Sequence, residues 1–258
     1  MDRFGVPLPQ RVSSSAQRLV QFEKNRRDLQ ELFSGRRLTW DPRGYWKVNP
    51  MPSDSQLADY YATTYWSARG DQPSRLRGRD LSHFLDLDPL LDSVATTSAN
   101  ERKALNFGAG HGGISFLLRA KGFRVLNVDP SPTPSPFFIT STELPSERDE
   151  FGLVYSSHSL EHVTDPESTI KGLVDCLRPG GILYVEVPNA LAGMSSQDEH
   201  DRHGPAMHPP HTVYFTRTFF EGLPLRTIRL GTFDYQDDVS GLWRDDDVGE
   251  VIRYIGAK

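Results

Sequence analysis

The residue types best suited to chemistry in this chain fall into three groups. The first is the run ALNFGAGHGGISFLL, residues 104–118, in which an apolar stretch meets Gly108, Ala109, Gly110, Gly112 and Gly113. Glycines there let the backbone turn sharply and approach a ligand closely, and the helix expected to follow offers unpaired N–H donors at its start. The second is Asp129, which ends the apolar run RVLNVDPS and stands 21 positions after Gly108. A carboxylate at that offset can accept both hydroxyls of a ribose. Gly108, Gly110 and Gly113 also satisfy a dinucleotide fingerprint, so on these two motifs alone a nicotinamide cofactor stays open, as does a ligand-free turn. The third group is a set of histidines, a residue type whose unperturbed side chain titrates near neutral pH and so suits base chemistry: His158, His162, His200, His203, His208 and His211.

These residues need a frame. From Lys103 onward short apolar runs alternate with longer amphipathic ones, the pattern of a parallel sheet covered by helices. The spacing predicts strands at 103–107, 124–128, 137–141, 151–156 and 182–187, with helices near 112–121 and 166–177. Two later runs, RTIRLGTFDY and EVIRYIGA, read as an antiparallel hairpin closing the sheet, with the polar DDVSGLWRDDD as its loop. The expected fold is α/β: a doubly wound, mostly parallel seven-stranded sheet with a C-terminal antiparallel hairpin and an N-terminal helical lid. Residues 1–100 would form a helical and aromatic cap, and residues 101–258 the catalytic domain. Within the cap, 17–34 suits one amphipathic helix stopped by Gly35. Residues 80–94 suit another, with Leu81, Phe84, Leu85 and Leu91 on its buried side.

Composition narrows the partners. The chain has 258 residues, a net charge of -5 and one cysteine, Cys176, which excludes an intrachain disulfide and a thiolate zinc site. A chain that grips phosphate backbones would show a basic excess, so nucleic acid is not an expected partner. The basic group Arg26, Arg27, Arg36 and Arg37 reads as a solvated helix face. No apolar run reaches the ~18 residues of a membrane helix, and MDRFGVPLPQ lacks a signal-peptide core, so a cytoplasmic location is expected. The first hundred residues could also serve as the surface of a homodimer.

A further motif decides between the cofactor readings. Residues 150–189 read EFGLVYSSHSLEHVTDPESTIKGLVDCLRPGGILYVEVPN. With the glycine loop before it, this block resembles the class I, Rossmann-like S-adenosylmethionine-dependent methyltransferases, and among them the bacterial small-molecule and sugar methyltransferases. The resemblance covers about residues 103–225. It implies S-adenosylmethionine as cofactor, with Gly108, Ala109, Gly110 and Gly112 under its methionine and ribose portions. It further implies Asp129 on the ribose hydroxyls, Pro130 and Ser131 beside the adenine, and Thr142, Glu143 and Leu144 on the adenine side. Ser157 and His158 would face the transferring methyl. PMPSDSQLADYYATTYW resembles the entry segment of such enzymes, which implies Tyr65, with Tyr61, over the cofactor, where an aromatic face suits a sulfonium.

Two departures stand out. Asn106 occupies a position the family fills with an acid, and PSPTPSP after Asp129 leaves no length for the usual helix between the second and third strands.

The resemblance makes O-methylation of a sugar, sugar nucleotide or other small hydroxylated metabolite the leading expectation. N- or C-methylation and a non-catalytic binding or regulatory module remain as alternatives. Direct methyl transfer depends on alignment, and a hydroxyl acceptor gains from a base. His211, in HTVYFT, holds the place where the family borders its acceptor pocket and is the first candidate base, with His158 second. His162 is expected to bond the start of the following helix. Asp198, Glu199, His200, Asp201 and His203 are suitable metal ligands but read as a solvated loop, and no metal is expected.

Overall fold

The computed structural model describes residues 27–61, 76–92, 102–130, 138–192, 205–237 and 239–258. Its centre is an eight-stranded sheet in the order β10-β9-β11-β7-β6-β3-β4-β5. The strands are β3 (Lys103–Phe107), β4 (Arg124–Val128), β5 (Ile139–Ser141), β6 (Phe151–Ser157), β7 (Leu177–Pro188), β9 (Arg226–Tyr235), β10 (Gly241–Arg244) and β11 (Val251–Ala257). From β5 through β7 the neighbours run parallel, while β11 is antiparallel to both β7 and β9. Period-two alternation sends side chains to both faces. Leu153 and Tyr155 of β6, Ile182 and Tyr184 of β7 and Ile255 of β11 pack with α2 (Gly78–Leu91) and α3 (Gly113–Ala120). Val154, Leu183, Val185, Ile252 and Tyr254 face α4 (Pro166–Cys176) and α5 (Arg217–Glu221). Burial on both faces explains why these strands read as continuous apolar runs rather than alternating ones.

Two sequence expectations about the sheet are corrected. The sheet has eight strands rather than seven, because the polar loop expected between the last two runs contains β10. Trp243 anchors it: its ring packs edge-on against Phe233 and under the Arg229 guanidinium, and its indole N–H donates to Asp86 at 3.1 Å. On α2, Leu85 is exposed, and the buried face instead carries Ser82 and His83 with Leu87 and Leu91. Polar residues occupy that face because the sheet presents charged partners to them, described below.

The N-terminal part is not purely helical. The strands β1 (Arg37–Asp41) and β2 (Tyr45–Asn49) form an antiparallel hairpin, and β2 pairs antiparallel with β8 (Val213–Phe215) to make a second, three-stranded sheet. Residues 27–33 are helical, and Leu29, Leu32 and Phe33 pack on Val48, Trp46 and Tyr214, so their apolar stripe has its partner in the hairpin. A short helix, α1 (Asp54–Tyr60), follows, capped by Ser53, whose hydroxyl accepts from the Gln56 N–H while the Gln56 side chain returns to Ser53 N. Of the expected cap, Tyr65, Trp66 and residues 17–26 lie outside the described residues. None of the described helices is long and apolar enough to cross a membrane.

The hairpin turn is clamped to the main body at Gly44. Its φ is +100°, and its carbonyl accepts from both the backbone N–H and the hydroxyl of Thr216, at 3.0 and 2.8 Å. A Cβ added there would lie 2.5 Å from Phe219 N. Gly44→Ala is therefore expected to cost about 1–3 kcal/mol through backbone strain and the displaced contact, readable as a lowered midpoint in urea denaturation. An unchanged midpoint would mean that the hairpin does not rest on α5.

Candidate active site

At the carboxyl ends of β3, β4 and β6 lies a cleft of about 540 Å³, within the size range of small-molecule sites. One wall is the glycine loop. The N–H groups of Gly108 and Ala109 both donate to the Val128 carbonyl, at 2.8 and 3.1 Å, which ties the loop to the end of β4. The Asp129 carboxylate accepts the Gly110 N–H at 2.8 Å. Gly108 has φ +68°, and a Cβ there would fall 1.7 Å from the Ser159 hydroxyl, so only glycine fits between loop and opposite wall. Asn106 is buried and donates to Ser115 Oγ at 3.0 Å, and that hydroxyl donates to Asn127 Oδ1 at 2.7 Å. The amide thus pins α3 to β3 and β4 through a neutral chain, in the position where an acid was the expectation.

The facing wall is built from Ser157, His158, Ser159 and the 3₁₀ turn Leu160–His162, with His208, Pro210 and His211 descending from the segment before β8. Thr212, completely buried, holds these pieces together. Its N–H donates to Glu161 O at 2.8 Å, its hydroxyl lies 3.0 and 2.7 Å from the carbonyls of Glu161 and Val163, and its own carbonyl accepts from Val48 N–H. His211 is thereby set beside His162, with ring centroids 5.0 Å apart, and His208 lies 5.2 Å from His211. Tyr61, past the end of α1, stands edge-on to His162. His162 Nδ1 lies 3.4 Å from the Pro210 carbonyl. Asp165 caps α4, accepting from Ser168 N at 3.0 Å, and the Ser168 and Glu167 N–H groups hold its carboxyl below the usual range.

Behind His158 lies a buried charge network. Glu186 of β7 is fully buried and receives Arg253 Nε at 2.6 Å and the Tyr235 hydroxyl at 2.9 Å, with His83 Nε2 at 2.8 Å and His158 Nε2 at 3.2 Å. Arg253 continues to Asp86 at 2.7 Å and to Ser82 at 3.1 Å, and its guanidinium lies 3.5 Å from the Phe233 ring centroid. His83 Nδ1 is 2.6 Å from the Tyr155 hydroxyl. Burial opposes ionisation of Glu186, but His83, His158 and Arg253 around it hold its carboxyl well below the usual value. Burial pushes His83 down, leaving it a neutral donor to Glu186.

His158 and His211 differ in charge for identifiable reasons. His158 adopts φ +49°, and its N–H donates to Glu186 O at 2.9 Å. Burial disfavours its cation, yet the Glu161 and Glu186 carboxylates, 3.4 and 3.2 Å away, prevail and raise its pKa to about 9. For His211 burial dominates; Glu161 pulls up, His162 and His208 push down, and the result is about 4. At neutral pH His158 is a fixed cation and His211 a neutral acceptor of protons.

Of the residues singled out by sequence, Gly108, Ala109, Gly110, Asp129, Pro130, Ser157, His158 and His211 line the cleft. Gly112 does not; with φ +69° it caps α3 from behind the loop. Thr142 and Glu143 are exposed and outside the lining, and Leu144 packs against the core beside Gly172. Ser131, with the rest of the proline-rich segment to residue 137, and the acidic and histidine residues 198–203 lie outside the described residues. The lining also includes Arg77, Arg79, Asp80, Tyr155, Glu161 and His162, which the sequence reading did not assign to the site. For Glu161 and His162 the signal was present in LEHV; for the pair of arginines none was.

Residues 78–224 match the family described as "Methyltransferase domain". The chain belongs to that family. It is accordingly an S-adenosylmethionine-dependent methyltransferase that acts on a methyl-accepting substrate. A search of curated proteins finds no match. Among solved structures, an S-adenosylmethionine-dependent methyltransferase from Mesorhizobium loti is 14% identical over 67% of this chain and 97% of its own, with a TM-score of 0.43. A further one, from Archaeoglobus fulgidus, is 17% identical over 67% of this chain and 92% of its own, with a TM-score of 0.44. The methyltransferase cleft suits its cofactor: the loop has no side chains at Gly108 and Gly110, and a carboxylate stands at its rim.

The raised pKa of His158 has a signed consequence. The folded value lies above the ordinary 6.5, so its stabilisation is complete below pH 6.5 and disappears as pH rises through 9. Between those limits the wild type should lose on the order of 1–3 kcal/mol relative to His158→Asn, read as diverging urea midpoints. Asparagine tolerates the left-handed backbone there. Parallel midpoints would show that the pKa of His158 is not raised in the folded protein.

Proposed function

We propose that this methyltransferase transfers its methyl group to a hydroxyl of a small metabolite, such as a sugar or sugar nucleotide. The observation that carries this reading is the presence of a neutral, half-buried histidine, His211, in the same cleft as the glycine loop and Asp129. S-adenosylmethionine, when bound, supplies the methyl group by direct displacement at its sulfonium-bound carbon. Asp129 and the glycine loop would hold the ribose and methionine portions, and Pro130 would border the adenine. Ser157 would border the methionine end. His158, kept cationic by two carboxylates, is unsuited to be a base and suited to orient an anionic or carbonyl oxygen.

On the acceptor side, His211 would take the hydroxyl proton as the oxygen forms its bond to carbon. The Glu161 carboxylate beside the histidines favours the imidazolium that results. A nucleic-acid acceptor is disfavoured by the acidic net charge of -5.

Incubation with labelled methyl donor and a panel of sugar, sugar-nucleotide and phenolic acceptors tests the reaction, with label expected on oxygen. Label found only on nitrogen or carbon would refute the O-methylation reading. His211→Ala is expected to lower turnover by about 10²–10⁴-fold while S-adenosylhomocysteine binding stays within experimental error by calorimetry. Asp129→Ala should weaken S-adenosylhomocysteine by about 1–3 kcal/mol through lost charged hydrogen bonds. Undiminished affinity would remove Asp129 from the ribose site.

A further inference from the structure

Glu161 is 2% exposed, and both of its carboxylate oxygens are buried without a hydrogen-bond partner among the described residues. The cationic His158 already faces Oε1, with Nδ1 at 3.4 Å, and His162 Nε2 lies 3.8 Å from the same oxygen. Neither contact is a hydrogen bond to the carboxylate, so its buried lone pairs retain the capacity to ligate a further cation. One ligand atom each from Glu161, His162 and His211 lies within 4.8 Å of the other two. Their relative placement is set by Thr212, which hydrogen-bonds the Glu161 carbonyl and directly follows His211. His162 Nδ1 faces the Pro210 carbonyl at 3.4 Å, an outer contact that turns Nε2 toward the carboxylate.

We infer that Glu161, His162 and His211 bind a divalent first-row transition-metal ion at the acceptor end of the cleft. Two imidazoles and one carboxylate favour zinc or iron over magnesium or calcium, which prefer all-oxygen sets. Three protein ligands leave coordination positions open, and all three residues line the cleft, so those positions face the acceptor. In the loaded enzyme the acceptor hydroxyl would sit on the ion, which acidifies it. Its proton would leave to water at the cleft mouth, its oxygen would bond to the methyl carbon, and the carbon–sulfur bond would break to release S-adenosylhomocysteine. With the ion bound, His211 would be a ligand and the ion would acidify the hydroxyl in its place; in the ion-free protein His211 remains the base. The use of the ion rests on the O-methylation reading; its binding does not.

Chelator-treated full-length protein, saturated with S-adenosylhomocysteine, is titrated with zinc chloride by calorimetry, with magnesium chloride in parallel. Saturable zinc binding is expected, with much weaker magnesium binding, and it should be lost in Glu161→Gln and in His211→Ala. A His200→Ala, His203→Ala double variant should retain it, which separates the site from the other histidines of that segment. Circular dichroism checks that each variant folds. Cobalt(II) added to the wild type provides a reading that needs no variant: visible bands that zinc abolishes. Absence of saturable zinc binding or of those bands overturns the site. So does zinc binding retained in the folded Glu161 and His211 variants, or lost in the His200 and His203 variant. Zinc binding without O-methylation of any acceptor would leave the site standing and refute the reaction.

Discussion

The structure depends on one buried negative charge. Glu186 sits fully enclosed in the middle of β7, where a lone carboxylate is not tolerable. Its compensation comes from four separate elements: Arg253 from β11, Tyr235 from β9, His83 from α2 and His158 from the end of β6. Each must be in register for the charge to be matched, so the ion cluster fixes how the antiparallel edge, the outer helix and the cleft wall fit together. Apolar packing would hold these layers with less demand on register. The charge cluster instead aligns them around His158, whose own cationic state is a product of the same arrangement.

A second constraint acts on the same wall of the cleft. The N-terminal hairpin borrows β8 as its third strand, and β8 immediately follows His211 and Thr212. The hairpin is therefore less a lid than a brace. Val48 donates to the Thr212 carbonyl while Thr212 bonds back to the turn carrying Glu161 and His162. Segments distant in sequence converge on Thr212, and the histidine group inherits its geometry from it.

Much of the frame could be read from the amino-acid pattern, because parallel strands buried on both faces leave unbroken apolar runs. The strands at 103–107 and 124–128 coincide with their expected bounds, and β6 and α4 end within a residue of theirs. The glycine loop and Asp129 were legible because backbone conformation and ligand approach demand those residue types locally. What stayed hidden depends on contacts between distant segments. GLWR looked like loop because its strand is held by Arg229, Phe233 and Asp86 rather than by its own hydrophobicity. Leu85 was misassigned on α2 because a polar His83 occupies the buried side, a choice sensible only once Glu186 and Tyr155 are seen opposite. The ring contacts of His162 with Tyr61 and His211 join segments far apart in the chain, which no local pattern announces.

The position of β11 bears on how the protein is made. This strand follows β9 and β10 in the chain, yet it lies between β9 and β7 and pairs with both. During vectorial synthesis, a nascent chain that has reached β10 therefore has β7 with an open edge and Glu186 without its guanidinium partner. Hydrogen bonding and charge neutralisation arrive together, in one late segment, so the cleft wall at His158 cannot reach its final electrostatic state before Arg253 emerges. The order of synthesis and the order of the sheet oppose one another here, and assembly of the site waits on the last strand to pair.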